Sequence, residues 1–549
     1  MLREIKIKKF LSEIFLCVIN LAHLLRWARF MLAIVSGFSL GLSLNYPHLS
    51  MLAWVGFVPL FFCLKNMTLK QSFCWAYFSG IIFFTTIIYW LRHVTIPGVI
   101  ILVLYLAFYF GLFGMFIYFW HQSAAAHRSK IGNANFAFKK RCREETQTFY
   151  KKKNFFFLPC AWIVLEFLRS LLSYWFGWGL LGYSQYENLA FIQSADTFGV
   201  WGVSFLVMLG NVFLFKVIIF FKQQIKHTFN EIIGFTIIIL IFISVYGYGI
   251  FRLKEKKDYL PFRVSVIQGN IPQEEKWDER FKELIMQRYK NLTLNAKRDA
   301  PELIIWPETS LPGYWGTDSD VSLYMKDLVS ITGTPLLFGT PQVMAANGAV
   351  RYFNSAILLG RDAKMINYYN KLHLVPFGEY IPFEKLFGFI RKFVYISDFS
   401  PGEEFTIFNL GGRKFAVLIC FEDVLPNLVR RFVRPGTHFL VNITNDAWFK
   451  KSRQPYQHLQ ASVFRAVENR RPVIRSANTG ISAFIDNKGR ITDKVSKDSQ
   501  DTFIEGDKTE EINIALINPV TIYNEFGDWF IYWCAGYLLI DVILKKGRL

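Results

Sequence analysis

"GVIILVLYLAFYFGLFGMFIYFW", residues 98–120, carries no charged side chain over its whole length. About 20 such residues in a helix cross the roughly 30 Å of hydrocarbon in a bilayer, so this stretch places the first half of the chain in lipid. Working outward, "FMLAIVSGFSLGLSL", "FSGIIFFTTIIYWL" and "EIIGFTIIILIFISVYGYGIF" repeat the pattern. Spans are expected near 28–45, 49–65, 71–91, 97–120, 155–172, 197–221 and 231–251, with an eighth near 526–544. The 549 residues therefore divide into a membrane domain over 1–255, a water-exposed block over 256–520, and a final span with a basic tail over 521–549.

Charge placement orients the spans, because Lys and Arg favour the cytoplasmic side. Arg3, Lys6, Lys8 and Lys9 open the chain, "KKRCREETQTFYKKK" follows the fourth span, and "KKGRL" ends the sequence. Eight spans put all three inside and the 256–520 block outside. Residues 10–27, "FLSEIFLCVINLAHLLRW", would break that agreement as a span and are expected to lie in the interface instead. Much of the formal net charge of +20 is positive-inside charge of this kind, suited to anionic lipid headgroups rather than nucleic acid.

The exported block has another texture. "RVSVIQGN", "ELIIWPET", "TPLLFGT", "SAILLG", "FAVLIC", "HFLVNIT", "PVIRSAN" and "SAFID" are strand-length and apolar on consecutive positions, as strands buried on both faces are. "ERFKELIMQRYKNLTLNAKR", after the capping candidate Asp278, and "QPYQHLQASVFRAVENR" have helical patterns. Alternating strands and helices indicate an α/β domain.

Within this block Cys420 has no cysteine partner, and a lone thiol outside the cell invites oxidation. It ends an apolar run in "FAVLICFEDVLP". Glu308 ends another in "LIIWPETSLP", and Lys371 opens "KLHLVPFGEYIP", with Glu379 further on. A carboxylate, an amine and a thiol at three strand ends can converge as base, oxyanion donor and nucleophile.

These residues resemble the Glu, Lys and Cys of the nitrilase superfamily. Further motifs, "QGNIPQEEKW", "WPET", "HLVPFGEYIP", "ICFED", "NITNDAWF" and "RSANTGISAFID", with "AWIVLEFLRS", "GYSQ" and "FGVWGVSFL" in the membrane part, resemble its membrane-bound branch, the apolipoprotein N-acyltransferase family. The resemblance implies an α-β-β-α sandwich beside a multi-pass helical domain. It implies Glu308 as general base, Lys371 as oxyanion cation and Cys420 as nucleophile, with Glu379 and Glu422 supporting and Trp277 near substrate. Phe421 stands where a tyrosine is usual in the family. The implied donor is a phospholipid such as phosphatidylethanolamine, and the acceptor is the α-amino group of a diacylglyceryl cysteine on an apolipoprotein. A bacterial inner membrane, a periplasmic catalytic domain, cytoplasmic termini and a monomer among membrane lipids are expected.

Both substrates are held in the bilayer, which gives a use to the apolar connection "FEKLFGFIRKFVYI", residues 383–396. It is expected to form a lipid-contacting lid through Phe387 and Phe389. Glu166 and Arg169, three apart within a span, are expected to pair on one helix face. His373, His438 and His458 lack metal-ligand spacing and no phosphate-binding glycine loop occurs, so no metal or other cofactor is expected. Two other readings are a membrane-tethered nitrilase-type amidase that acts on a small soluble carbon–nitrogen substrate with water as acceptor, and a lipid-binding protein without catalysis.

Overall fold

The computed structural model describes residues 26–122, 154–172, 176–222, 229–256, 258–346, 349–382, 384–388, 398–516 and 520–546. Nearly all of the segment 10–27, the basic loop 139–153 and most of 383–396 lie outside them. Among the described residues, five helices are long and apolar enough to cross a membrane: Arg26–Asn45, Leu69–His93, Ile96–His121, Ala195–Phe221 and Glu231–Lys254. Pro47–Cys63, Phe157–Leu172 and Trp529–Leu544 are shorter apolar helices.

Small residues let these helices approach closely, as lipid-embedded packing requires. A Cβ at Gly114 would sit 2.4 Å from the Ser72 carbonyl oxygen, where Ile96–His121 crosses Leu69–His93. The helix over Ala195–Phe221 is broken at Gly199, whose φ of 65° favours glycine. The segment restarting at Val200 is capped from the other half of the molecule, since the Val200 N–H donates to Glu468 Oε1 at 2.9 Å.

The water-exposed block is two six-stranded sheets face to face. Its strands are β1 (Tyr259–Gln268), β2 (Leu303–Ile305), β3 (Leu336–Ala346), β4 (Ala349–Leu359), β5 (Met365–Asn370), β6 (Phe408–Leu410), β7 (Arg413–Ile419), β8 (Phe439–Thr444), β9 (Val473–Ala477), β10 (Ala483–Ile485), β11 (Ile491–Lys494) and β12 (Gly506–Ala515). One sheet runs β12-β1-β2-β3-β4-β5 and the other β11-β10-β9-β8-β7-β6. In the first, β1, β2 and β3 are parallel neighbours; in the second, β7, β8 and β9 are.

Side-chain alternation builds the layers. Val264, Val266, Leu303, Ile305 and Leu337 share a core with Phe415, Val417, Val441 and Val473 of the opposite sheet. Their neighbours Ile304, Trp306, Leu336 and Phe338 point the other way, onto Ile285, Tyr289, Met325 and Val329, which lie on the helices Lys282–Ala296 and Ser319–Thr332. The result is the α-β-β-α sandwich expected. The second sheet is covered by Pro426–Val433 and Gln454–Asn469.

Gln454–Asn469 lies between that sheet and the membrane helices, which explains why 15 of its 16 residues are buried although many are polar. Its outward face is satisfied by the membrane half. Gln457 accepts from Trp90 Nε1 at 3.0 Å and also from Trp178 Nε1, and donates to the Ile87 carbonyl at 2.9 Å. Gln460 donates to the Leu44 carbonyl at 2.7 Å. Unpaired polar groups here would cost about 1–3 kcal/mol each, so these bonds fix the two-sheet block against the helix ends.

Glu166 and Arg169 are both buried, and each holds the connecting loop. Glu166 Oε1 accepts from the Leu181 N–H at 2.7 Å, and Arg169 Nη1 donates to the Trp178 carbonyl at 2.7 Å.

Candidate active site

The charged groups of the site leave the carboxyl ends of strands in both sheets. Glu308 follows β2, Lys371 follows β5 and Cys420 follows β7. Asn445 follows β8.

The turn bearing Glu308 is tightly constrained. Thr309 has φ 44°, and a Cβ at Gly339 on β3 would meet Glu308 Cα and the Pro307 oxygen, each at 2.6 Å. Only glycine lets β3 pass so close. The carboxylate is gripped at both oxygens: Oε1 accepts from Asn354 Nδ2 at 2.8 Å and Oε2 from the Asn445 N–H at 2.9 Å.

Lys371 is buried, with Nζ 2.9 Å from Glu379 Oε2 and 3.6 Å from Glu308 Oε1. Burial alone would depress its basicity, but the Glu379 and Glu308 carboxylates hold it above the ordinary lysine range. It is therefore a fixed cation. Glu379 is itself held by Asn354 Nδ2 and the Val375 N–H, both at 2.8 Å, so one asparagine ties both acids of the site to β4.

Cys420 opens the 3-10 helix Cys420–Val424 with φ 55°, a left-handed conformation that costs a non-glycine residue about 1–2 kcal/mol. The strained turn thrusts the side chain from the strand end, where it is partly exposed. Its carbonyl accepts from Asn442 Nδ2 at 3.0 Å and faces His458 Nε2 at 3.3 Å.

The Lys371 cation favours the Cys420 thiolate, but burial and the Glu308 charge outweigh it, and the thiol stands well above its ordinary value. Cys420 is protonated at rest and needs a base rather than a ready-made thiolate.

Glu422 joins the nucleophile turn to the lysine loop. Oε2 accepts from the Ile419 N–H at 2.7 Å, while Oε1 accepts from the Leu372 and His373 N–H groups at 2.8 and 3.0 Å and from the Tyr369 hydroxyl at 2.8 Å. Behind Cys420 a second set of buried charges meets. Asp423 pairs with His458 at 2.9 Å and Arg475 at 3.2 Å, and Asp446 pairs with the same two at 3.1 and 3.2 Å. Burial would raise these carboxyls, but His458 and Arg475 hold both below the usual range.

The remaining expected residues are more dispersed. Phe421 stacks on Trp178 at 6.3 Å and on Phe176 at 6.4 Å, so it meets the membrane half. Trp277 is 48% exposed. Phe387 ends a four-residue helix, Glu384–Phe387, and Phe389 lies outside the described residues.

Sequence reasoning passes over Lys276, Asn354 and the His458–Arg475 network. Lys276 sits among exposed neighbours, and "QEEKW" reads as a solvated turn; its only signal is its place within a motif.

Two family models match the chain: Apolipoprotein N-acyltransferase N-terminal domain over residues 36–213 and Carbon-nitrogen hydrolase over 263–518. An apolipoprotein N-acyltransferase of Geobacter metallireducens is 35% identical across 94% of this chain and 95% of its own length. One from Chlorobaculum tepidum is 30% identical across 94% of this chain and 97% of its own.

Proposed function

The chain belongs to the apolipoprotein N-acyltransferase family, and from that premise we propose how its own residues acylate a lipoprotein. It is a membrane enzyme of lipoprotein N-acylation. The reading of Glu308, Lys371 and Cys420 as its triad rests chiefly on one observation: the buried Lys371 cation is clamped between Glu379 and Glu308, near a cysteine held in a left-handed turn.

In the first step Glu308 takes the Cys420 proton as sulfur attacks an ester carbonyl of a phospholipid. Negative charge grows on the carbonyl oxygen, and Lys371 with the Phe421 N–H stabilises it. A fixed donor of this kind contributes roughly 3 kcal/mol. Glu308 then passes the proton to the leaving alcohol, which departs as lysophospholipid. In the second step the α-amino group of a diacylglyceryl cysteine attacks the thioester, and the amide leaves while Cys420 is restored.

Both substrates are anchored in lipid, so the site works at the membrane surface. The bonds from Gln457 and Gln460 to the membrane helices hold it there. With the catalytic block on the periplasmic face, the basic termini face the cytoplasm.

The test is product analysis in detergent with phosphatidylethanolamine and a diacylglyceryl peptide. Triacylated peptide and lysophospholipid in equal amounts are expected. Neither lysophospholipid nor acylated peptide, with ammonia released from a small soluble amide instead, would favour the tethered amidase.

A further inference from the structure

The second step releases more protons than one carboxylate can handle. An α-amino group has a pKa of about 8, so at neutral pH the acceptor arrives largely as an ammonium with three N–H bonds. The amide product keeps one. Of the two protons lost, one returns through Glu308 to the departing Cys420 sulfur. The other needs a second proton acceptor at the site before the amine can attack. The loading step has no such surplus, since the thiol proton ends on the leaving alcohol.

Lys276 is 3% exposed, whereas Glu274 and Trp277 beside it are exposed. Its Nζ donates to the main-chain carbonyl of Glu308 at 3.1 Å, and among the described residues it forms no ion pair. A buried amine is expensive without a compensating partner. A single carbonyl is slight compensation, which points to use rather than packing.

We propose that Lys276 is the second base of acyl transfer, taking from the acceptor ammonium the proton that Glu308 does not return to sulfur. The C–N bond forms, the C–S bond breaks, one proton passes by Glu308 to Cys420, and the other rests on Lys276 until product leaves and solvent removes it. The inference rests on the thioester reading above. The charged groups Lys276 feels are Glu308 and Cys420, which favour its protonated form, but burial dominates and brings it down to about 7. Above that pH the amine is free to accept a proton; below it the amine is already protonated and cannot.

The experiment loads the full-length enzyme with phosphatidylethanolamine, adds a diacylglyceryl peptide, and follows loading and transfer separately by quenched mass analysis between pH 6 and pH 9.5. Lys276→Gln should slow transfer at pH 7 by at least about tenfold more than it slows loading. That gap should close above about pH 9, where the acceptor amine is already neutral. Lys276→Arg keeps a donor for the Glu308 carbonyl but cannot accept a proton, so it should show the same pH-dependent gap. Equal slowing of both steps at every pH, or full transfer by the Arg variant at pH 7, overturns the proposal and leaves Lys276 a support for the Glu308 turn. Failure of the wild type to load removes the thioester reading itself, and this inference with it.

Discussion

Two sets of buried charges flank Cys420, and they differ in how completely they are paired. Behind the nucleophile, Asp423 and Asp446 each meet both His458 and Arg475. In front, Lys371 answers two carboxylates at once and Lys276 has one carbonyl. A network with every charge matched is suited to holding a turn in place. A set with capacity left over is suited to moving protons and meeting a developing oxyanion. Burial alone does not separate structural charges from reactive ones; the unspent bonding capacity does.

The contrast makes graded predictions. Glu308→Gln removes the proton acceptor while keeping a similar shape, and acyl loading should fall by about 10²–10⁴-fold, with a smaller drop in unfolding temperature than for Arg475→Met because Glu379 still holds Lys371. Arg475→Met should do the reverse. Breaking a buried ion pair costs about 3–5 kcal/mol, so thermal unfolding in detergent should shift sharply while molecules that remain folded still load. Equal damage to stability and loading by both variants would erase the distinction.

Glu379→Gln removes the nearer anion from Lys371 but leaves a hydrogen-bond acceptor. A charge-assisted bond contributes about 1.5–3 kcal/mol, so loading should drop by roughly ten- to a hundredfold, less than for Glu308→Gln. Phe421→Tyr should matter least, within about threefold, since the ring already stacks on Trp178 and Phe176. A large gain in loading would instead assign work to a phenolic hydroxyl at that position.

The strands legible in the sequence are the eight inner ones, and the four without a clear signal, β5, β6, β11 and β12, are the four sheet edges. Edge strands bury fewer side chains: β11 buries none and β5 only Tyr369. Consecutive apolar runs therefore never develop in them. Glu308, Lys371 and Cys420 stood out because each breaks an apolar or Pro/Gly-containing run at a strand end. Lys276 gives no such contrast, because polar neighbours in sequence hide a side chain that only the tertiary fold buries, and Asn354 lies within β4 rather than at a strand end. His458, Asp423, Asp446 and Arg475 come from four separate segments, and their meeting depends on how β7, β8 and β9 align beneath Gln454–Asn469. The upward shift of the Cys420 thiol is hidden in the sequence for a related reason. Desolvation by surrounding elements is invisible in a linear sequence, whereas the identity of a nearby lysine is not.

Covalent loading is the decisive measurement. Purified protein in detergent is mixed with acyl-labelled phosphatidylethanolamine, and its intact mass is followed with and without neutral hydroxylamine, beside Cys420→Ala. A labile acyl adduct on the wild type, absent from the variant, is the expected result. Acylated lipoprotein formed by Cys420→Ala, or formed by the wild type with no adduct at any time, would contradict transfer through a Cys420 thioester.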